Sequence, residues 1–139
     1  MKGYLLDTNV VSELRKRDRA DNNVRHWFEV HNRDEFWLSV LVVGELRRGV
    51  GLIARRDPQA AGSIKDWLDV LIRDFADRVL PVTVEICERW ALLAVPNPIP
   101  VIDGLLAATA AEHDLILVTR NAADVAATGV ATVNPFAGS

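Results

Sequence analysis

Short apolar runs alternate with helical segments along this chain, and that alternation constrains the fold more than any other feature. The runs predicted as strands are residues 4–6, 35–39, 78–82, 115–118 and 130–133. Helices are predicted over residues 10–17, 21–31, 42–53, 58–76, 83–94 and 103–113. Strands that alternate with helices favour a mostly parallel sheet covered on both faces. We therefore expect an α/β fold with three layers, α/β/α, around a mostly parallel central sheet.

Length and composition indicate one globular domain over residues 1–139. Half of the 139 residues are hydrophobic and a quarter are charged, which is ordinary for a globular protein. The formal charge of −3 argues against a protein that binds nucleic acid non-specifically over its whole surface. Any contact with RNA or DNA must therefore use a local basic patch.

Two absences in the sequence bear on location. The single cysteine, Cys87, excludes an internal disulfide and a cysteine-based zinc site, and we expect it to fill space in the core. No apolar run approaches the roughly 20 residues needed to cross a bilayer, and Asp7 interrupts the first apolar run too early for a signal peptide. We expect a soluble, cytoplasmic protein with no membrane contact.

The first predicted strand ends on a carboxylate, Asp7, followed by Thr8 and Asn9. In an open α/β sheet the carboxyl ends of the strands border the ligand crevice, so an acid at this point faces a candidate site. Taken alone, Asp7 is explained equally well as the N-cap of the next helix.

Other acids fall at comparable places. Glu45 lies among apolar residues of a predicted helix, where a carboxylate needs a partner, although a helix surface near Arg47 and Arg48 also accounts for it. Asp103 heads an apolar helix after the helix-breaking segment 96–100, and an N-cap explains it as well. Asn121 and Asp124 follow the strand 115–118, where both residue types also form turns.

Together, these oxygen-bearing side chains indicate a binding site more strongly than any one of them does alone. Two carboxylates about 5 Å apart repel by about 3 kcal/mol at an effective dielectric of 20, so a cluster of them calls for a cation. Oxygen ligands favour Mg²⁺ or Mn²⁺, and either ion activates water for phosphodiester hydrolysis. With such neighbours, a cap becomes the weaker explanation of Asp7.

Four sequence blocks, in order and over nearly the whole chain, carry a family resemblance. They are Leu5-Leu6-Asp7-Thr8-Asn9, Gly44-Glu45-Leu46-Arg47-Arg48-Gly49, Ile102-Asp103 and Val118-Thr119-Arg120-Asn121. Together they resemble a PIN domain, specifically a VapC-like toxin of the FitB subgroup.

The resemblance implies an Mg²⁺- or Mn²⁺-dependent ribonuclease that is the toxin of a toxin–antitoxin pair. Asp7, Glu45 and Asp103 match the three principal acids of the family, and Asp124 is the available fourth acid because Asn121 is uncharged. Val125 stands where an aromatic residue is more usual. By the same resemblance, a group of polar residues would orient the site: Thr8, Asn9, Ser12, Thr119 and Asn121.

In this interpretation Asp7, Asp103 and Asp124 hold metal directly or through water, and Glu45 positions the ion and the attacking water. One ion and two ions are equally compatible with these residues. The resemblance also implies a homodimer and an antitoxin partner.

Positive charge near an acidic site is needed to admit RNA. The candidates for phosphate contacts are Arg15, Arg17, Arg47 and Arg48, although solvated charge at helix C-termini accounts for them equally well. Trp27, Trp37, Trp67 and Trp90 indicate core or dimer packing more than base stacking. The three histidines share no metal-ligand spacing, which argues against zinc.

Two other classes of function were weighed. Asn121 and Val125 depart from the family pattern and would fit a catalytically impaired PIN-fold module that still binds antitoxin or RNA. A phospho-acceptor domain or an Asp-nucleophile phosphatase also places acids at strand ends. Asp7 lacks the second aspartate two residues on that such a phosphatase would show, and no lysine follows a late strand.

Overall fold

The computed structural model describes residues 3–96 and 98–137, and it contains a five-stranded sheet in that part of the chain. The strands are β1 (Tyr4–Leu6), β2 (Phe36–Ser39), β3 (Val79–Leu80), β4 (Ile116–Val118) and β5 (Thr132–Val133). All four strand pairings are parallel, which confirms the predicted α/β class. Asn97, in the predicted helix-breaking segment, lies outside the described residues.

Helices connect the strands. They are α1 (Thr8–Leu14), α2 (Asn22–Glu29), α3 (Val40–Ala54), α4 (Pro58–Asp74), α5 (Val84–Ala94), α6 (Val101–His113) and α7 (Ala122–Val125). The helices pack mainly within two groups, α1 to α4 and α5 to α7. Because crossovers between parallel strands are right-handed as a rule, and the chain reverses its direction across the sheet after β3, we infer that these groups cover opposite faces of the sheet.

The order of the strands in the sheet is β3-β2-β1-β4-β5, so the first strand of the chain lies at the centre. The chain moves outward from β1 through β2 to β3 and then crosses back to β4 on the other side of β1. The carboxyl ends of β1 and β4 therefore border the point where the strand order reverses, which is where open α/β sheets bind ligands.

The central strands are apolar on both faces because both faces are covered. Leu5, Leu38, Leu117 and Val118 are at most 1% exposed, and they form the core together with apolar side chains of α1, α3, α4 and α6. Trp27, Trp37 and Trp67 are partly buried against this core, as predicted for core packing.

The structure differs from the sequence predictions at several points. Helix α1 ends at Leu14 rather than at residue 17, where Arg17 has a left-handed backbone (φ 52°). Residues 122–125 form a short helix, in a segment where turn formation was the alternative explanation of Asn121 and Asp124. Cys87 is exposed, so the expectation of a core residue is wrong. Within residues 3–96 and 98–137, no helix is long and apolar enough to cross a membrane.

Glu13 joins α1 to α2 through a buried carboxylate. Its Oε2 accepts the backbone N–H of Asp21 at 2.8 Å, and its Oε1 accepts Lys16 Nζ at 2.9 Å. The hydrogen bond from Lys16, and after it the bond from Asp21, lowers the pKa of Glu13 below its ordinary value. A lowered pKa means that the charged carboxylate stabilises the fold.

We expect Glu13→Gln to lower the free energy of unfolding at pH 7 by about 1–2 kcal/mol, since a hydrogen-bonded charge is lost while the packing is kept. The wild-type advantage is present above the ordinary pKa of 4.5 and disappears as the pH falls through the lowered folded value. Urea unfolding of both proteins at pH 7 and pH 3 measures the difference. A gap that stays constant or widens in acid would contradict this role of Glu13.

Candidate active site

Asp7 lies immediately after β1 and is 6% exposed. Its Oδ1 accepts the backbone N–H of Thr8 at 2.7 Å, so Asp7 is the N-cap of α1. Its Oδ2 accepts the hydroxyl of Thr119 at 2.7 Å. The cap that seemed the weaker explanation is therefore present, and it serves to orient a buried carboxylate at the edge of the sheet.

Thr119 and Asn121, which follow β4, help to hold that carboxylate. The Thr119 hydroxyl donates to Asp7 and accepts the backbone N–H of Asn121 at 3.0 Å. Asn9 lies on the same side, with its Nδ2 3.4 Å from Asp7 Oδ2 and its Oδ1 3.3 Å from the backbone N of Arg120. The fold thus brings Asn9, Thr119 and Asn121 together around Asp7.

Glu45 reaches this region from helix α3, which follows the neighbouring strand β2. Helix α3 starts directly after β2, where the Ser39 hydroxyl accepts the backbone N–H of Leu41 at 3.0 Å, and Glu45 lies about one and a half turns into the helix. The Thr8 hydroxyl donates to Glu45 Oε1. The partner that a carboxylate at this position needs is therefore Thr8, not a neighbouring arginine.

Asp103 is the third residue of α6 and is half-buried. The N-cap of α6 is Pro100, so the N-cap explanation of Asp103 is wrong. Burial raises the pKa of Asp103, and the negative charges of Asp7, Asp124 and Glu45 raise it further. Three of the acids singled out from the sequence therefore act electrostatically on the fourth, Asp103.

The four acids differ in exposure and spacing. Asp7 is buried, Glu45 and Asp103 are half-buried, and Asp124 is exposed on α7. In the described part of the chain, no three His, Cys, Asp or Glu side chains stand close enough to form a ready-made metal-binding group. The arrangement is an acidic patch built around one fixed carboxylate rather than a closed cage.

The four candidate arginines lie in different surroundings. Arg15, at the end of α1, lines a pocket together with Thr8, Ser12 and Glu45. Arg47 donates to Asp69 Oδ1 on α4 at 2.8 Å. Arg17 and Arg48 are exposed. Arg15 is thus the candidate that lines the same pocket as one of the acids, Glu45.

Sequence reasoning missed Arg120 as a candidate for phosphate contact. Its guanidinium stacks on the ring of Phe136, 3.7 Å from the centroid, and its backbone N–H reaches Asn9. The available signal was its position between Thr119 and Asn121. The stacking depends on Phe136, which follows the last strand 16 residues later, and no local pattern reveals that contact.

Comparison of the sequence with known proteins agrees with this geometry. The model of the PIN domain family matches residues 4–127. Toxin FitB of Neisseria gonorrhoeae is 32% identical over 138 residues, which cover 95% of this chain and 97% of FitB. VapC ribonuclease Y4jK of Sinorhizobium fredii is 31% identical, covering 95% of this chain and 96% of that protein.

Solved structures give the same result. FitAcB from Neisseria gonorrhoeae superimposes with a TM-score of 0.87 at 32% identity, covering 96% of this chain and 98% of the other. FitAB bound to an IR36 DNA fragment gives a TM-score of 0.85 at 29% identity, covering 96% and 95%. The match of the family model to most of the sequence, together with a relative of this identity, shows that the chain belongs to the PIN domain family.

Proposed function

We propose that this protein is an Mg²⁺- or Mn²⁺-dependent ribonuclease and the toxin of a toxin–antitoxin pair. One observation carries the proposal: the fold brings Asp7, Glu45 and Asp124 near Asp103, at the reversal point of the sheet, where burial and then their charges raise the pKa of Asp103. The names of two relatives, a toxin and a VapC ribonuclease, support the same activity.

The donor set fits a hard divalent cation. Every candidate ligand is a carboxylate, and oxygen ligands are what Mg²⁺ and Mn²⁺ prefer. Mg²⁺ keeps several waters and is commonly bound through only one or two carboxylates, so the lack of a three-ligand cage among the described residues agrees with it. Asp7 and Asp103 would hold the ion, with Glu45 and Asp124 acting directly or through water.

The protein's own side chains prepare the site. Asp7 is fixed through both carboxylate oxygens, so little conformational freedom remains to be lost when it binds a ligand. Thr8 holds Glu45 through one carboxylate oxygen, Oε1. A bound Mg²⁺ or Mn²⁺ supplies Lewis acidity toward a phosphate oxygen and lowers the pKa of a bound water. Arg15 and Arg120 provide positive charge for flanking phosphates.

The partners in this proposal are RNA, an antitoxin and a second copy of the chain. An antitoxin neutralises the acidic patch most directly with an arginine, because guanidinium pairs well with carboxylates. A homodimer is supported by exposed apolar side chains on and next to α5. Val84, Leu92 and Val95 are 72%, 77% and 82% exposed, and surface of this kind marks protein interfaces.

The test is cleavage of total RNA by the purified protein, freed of any partner. We expect products with Mn²⁺ or Mg²⁺, none in excess EDTA, and recovery when metal is restored. Asp7→Asn keeps an N-cap oxygen for α1 but removes the charge, so it should fold and be inactive. A contaminating nuclease would appear equally in both preparations.

Two results would overturn the proposal. Equal activity in EDTA would show that cleavage needs no metal ion. Equal activity of Asp7→Asn would show that cleavage does not depend on this site. If the wild-type protein stays inactive with Mn²⁺, the catalytically impaired binding module becomes the better interpretation.

A further inference from the structure

We propose that the pocket between α1, α3 and α4 holds one unstacked nucleobase of the RNA, next to the phosphate that is cleaved. This inference rests on the proposed ribonuclease function and deepens it, since it assigns base recognition to a defined place. We call this cavity the base pocket. Its polar lining, which we call the mouth, consists of Thr8, Ser12, Arg15 and Glu45, none of which is fully buried.

The base pocket is continuous with the candidate active site. Thr8 and Glu45 belong to both, and they are hydrogen-bonded to each other at the pocket mouth. RNA whose backbone crosses the acids therefore passes this opening. A base next to the reacting phosphate is therefore at most one nucleotide away from the opening of the pocket.

The interior of the pocket is apolar and contains one aromatic ring. Its walls are side chains of α3 and α4, chiefly Leu46, Val50, Ile53, Ile64 and Trp67. Proteins recognise single-stranded RNA by stacking splayed bases on aromatic rings, and any base can use such a surface. Trp67 thus has a second role in addition to its packing against the core.

Size restricts the occupant. The cavity measures about 120 Å³, well above the 10–15 Å³ that one water needs and well below the roughly 300–1,000 Å³ of pockets for drug-sized ligands. A space of this size accommodates one ring system more readily than a whole nucleotide. The sugar and phosphate would remain at the polar mouth.

Charge at the mouth favours RNA over a protein segment. Arg15 presents a cation in the same pocket as Glu45, so a ligand that is apolar at one end and anionic at the other matches both parts of the lining. A base joined to a phosphate satisfies the apolar walls and the cation together.

The experiment uses intact wild-type protein and changes the substrate. A short single-stranded oligoribonucleotide is cleaved with Mn²⁺, the cut is mapped, and each nucleotide flanking it is replaced in turn by an abasic one. We expect one abasic position next to the cut to reduce kcat/KM by about 5- to 150-fold, the range for loss of one base–aromatic stack. Abasic sites farther away should have little effect.

A binding arm identifies the ring and works without cleavage. The base at the sensitive position, or at each position in turn if nothing is cut, is replaced by 2-aminopurine, and fluorescence is followed with protein in EDTA. Stacking on Trp67 should quench the probe, and Trp67→Leu should relieve the quenching. Trp37→Leu is the matched control, because Trp37 is also partly buried against the core but does not line the pocket.

The outcomes separate the two proposals. Cleavage that is unchanged at every abasic position would overturn the base pocket and leave the ribonuclease standing. Quenching that depends on Trp67, in a protein that cuts no RNA, would support the pocket and overturn the activity. Loss of antitoxin binding in Trp67→Leu, with quenching unchanged, would assign the pocket to a protein segment and overturn base recognition.

Discussion

Asp103→Asn is expected to make the metal-free protein more stable and to remove its RNA cleavage. At pH 7 the Asp103 carboxylate is half-buried and lies in the field of three other carboxylates, which is why its pKa is raised. A raised carboxyl pKa means that ionisation costs folding free energy, and asparagine removes this cost while keeping nearly the same shape. The same carboxylate is a proposed metal ligand, so activity and stability should change in opposite directions.

The two effects differ greatly in size. The stability gain should be about 0.2–1 kcal/mol, since Asp103 is only partly shielded from solvent, which corresponds to roughly 1–4 °C in melting temperature. The loss of kcat/KM should be about 100- to 1,000-fold, as when one preorganised stabilising group is removed from an active site. Active sites commonly combine function with a local cost in stability in this way.

Thermal melts in EDTA at several pH values test the stability effect, and RNA cleavage with Mn²⁺ tests the activity. The stability gap between Asp103→Asn and the wild type should be present at pH 7 and should close as the pH falls toward the ordinary carboxyl pKa of 3.8. Asp66→Asn, at an exposed position on α4, is the control for simple charge removal and should change neither property. A destabilised or fully active Asp103→Asn protein would contradict the acid cluster.

Gly104→Ala should destabilise the protein, although alanine normally stabilises a helix relative to glycine. An added Cβ at Gly104 would lie 2.8 Å from Trp90 Cδ1 and 2.9 Å from Trp90 Nε1. The Trp90 Nε1 atom is buried and has no hydrogen-bond partner among the described residues, so the rigid ring is packed closely against α6 at this point. The methyl group would have to push the ring or the helix away.

The sign of the stability change depends on the sizes of two opposing effects. Overpacking costs about 1–3 kcal/mol, whereas replacing a helical glycine by alanine gains roughly 0.5–1 kcal/mol, so Gly104→Ala should lose on balance about 0.5–2 kcal/mol. Because Gly104 adjoins Asp103, cleavage should fall as well. A displacement of about 1 Å at a catalytic group is enough to cost about 100-fold.

Urea unfolding of Gly104→Ala beside Gly62→Ala isolates this contact. Gly62 is exposed in α4, and an added Cβ there meets nothing within 4 Å, so Gly62→Ala should be more stable than the wild type by about 0.5–1 kcal/mol. Opposite signs for the two variants are the expected result. If both variants gain stability, Trp90 does not constrain the start of α6.

The fold class and the candidate acids were predictable because their signals are local. An apolar run that stops at Asp7, and a charge at Glu45 among apolar residues, each stand out within a few positions of sequence. The segment before α6 likewise predicted where that helix begins to within two residues. The prediction that Cys87 is buried was wrong, because residue type indicates only how often such a side chain is buried. It does not indicate which face of α5 this cysteine occupies.

Other features depend on contacts between distant segments, and no local pattern reports them. Arg47 is paired with Asp69 only because α3 and α4 pack side by side. The base pocket exists for the same reason, with walls from two helices and a mouth from a third. The cap at Asp7 was visible from the sequence, but only the second hydrogen bond, from Thr119, shows that capping and a place in the site are compatible.

The central position of β1 has a consequence for the timing of folding during synthesis. Asp7 leaves the ribosome well before its hydrogen-bond partner Thr119, which lies 112 residues later, directly after the strand that pairs with the other side of β1. The growing chain therefore holds its acids apart until β4 has emerged and paired. A cell that makes this protein is exposed to the finished site only after Thr119 has been synthesised and β4 has paired.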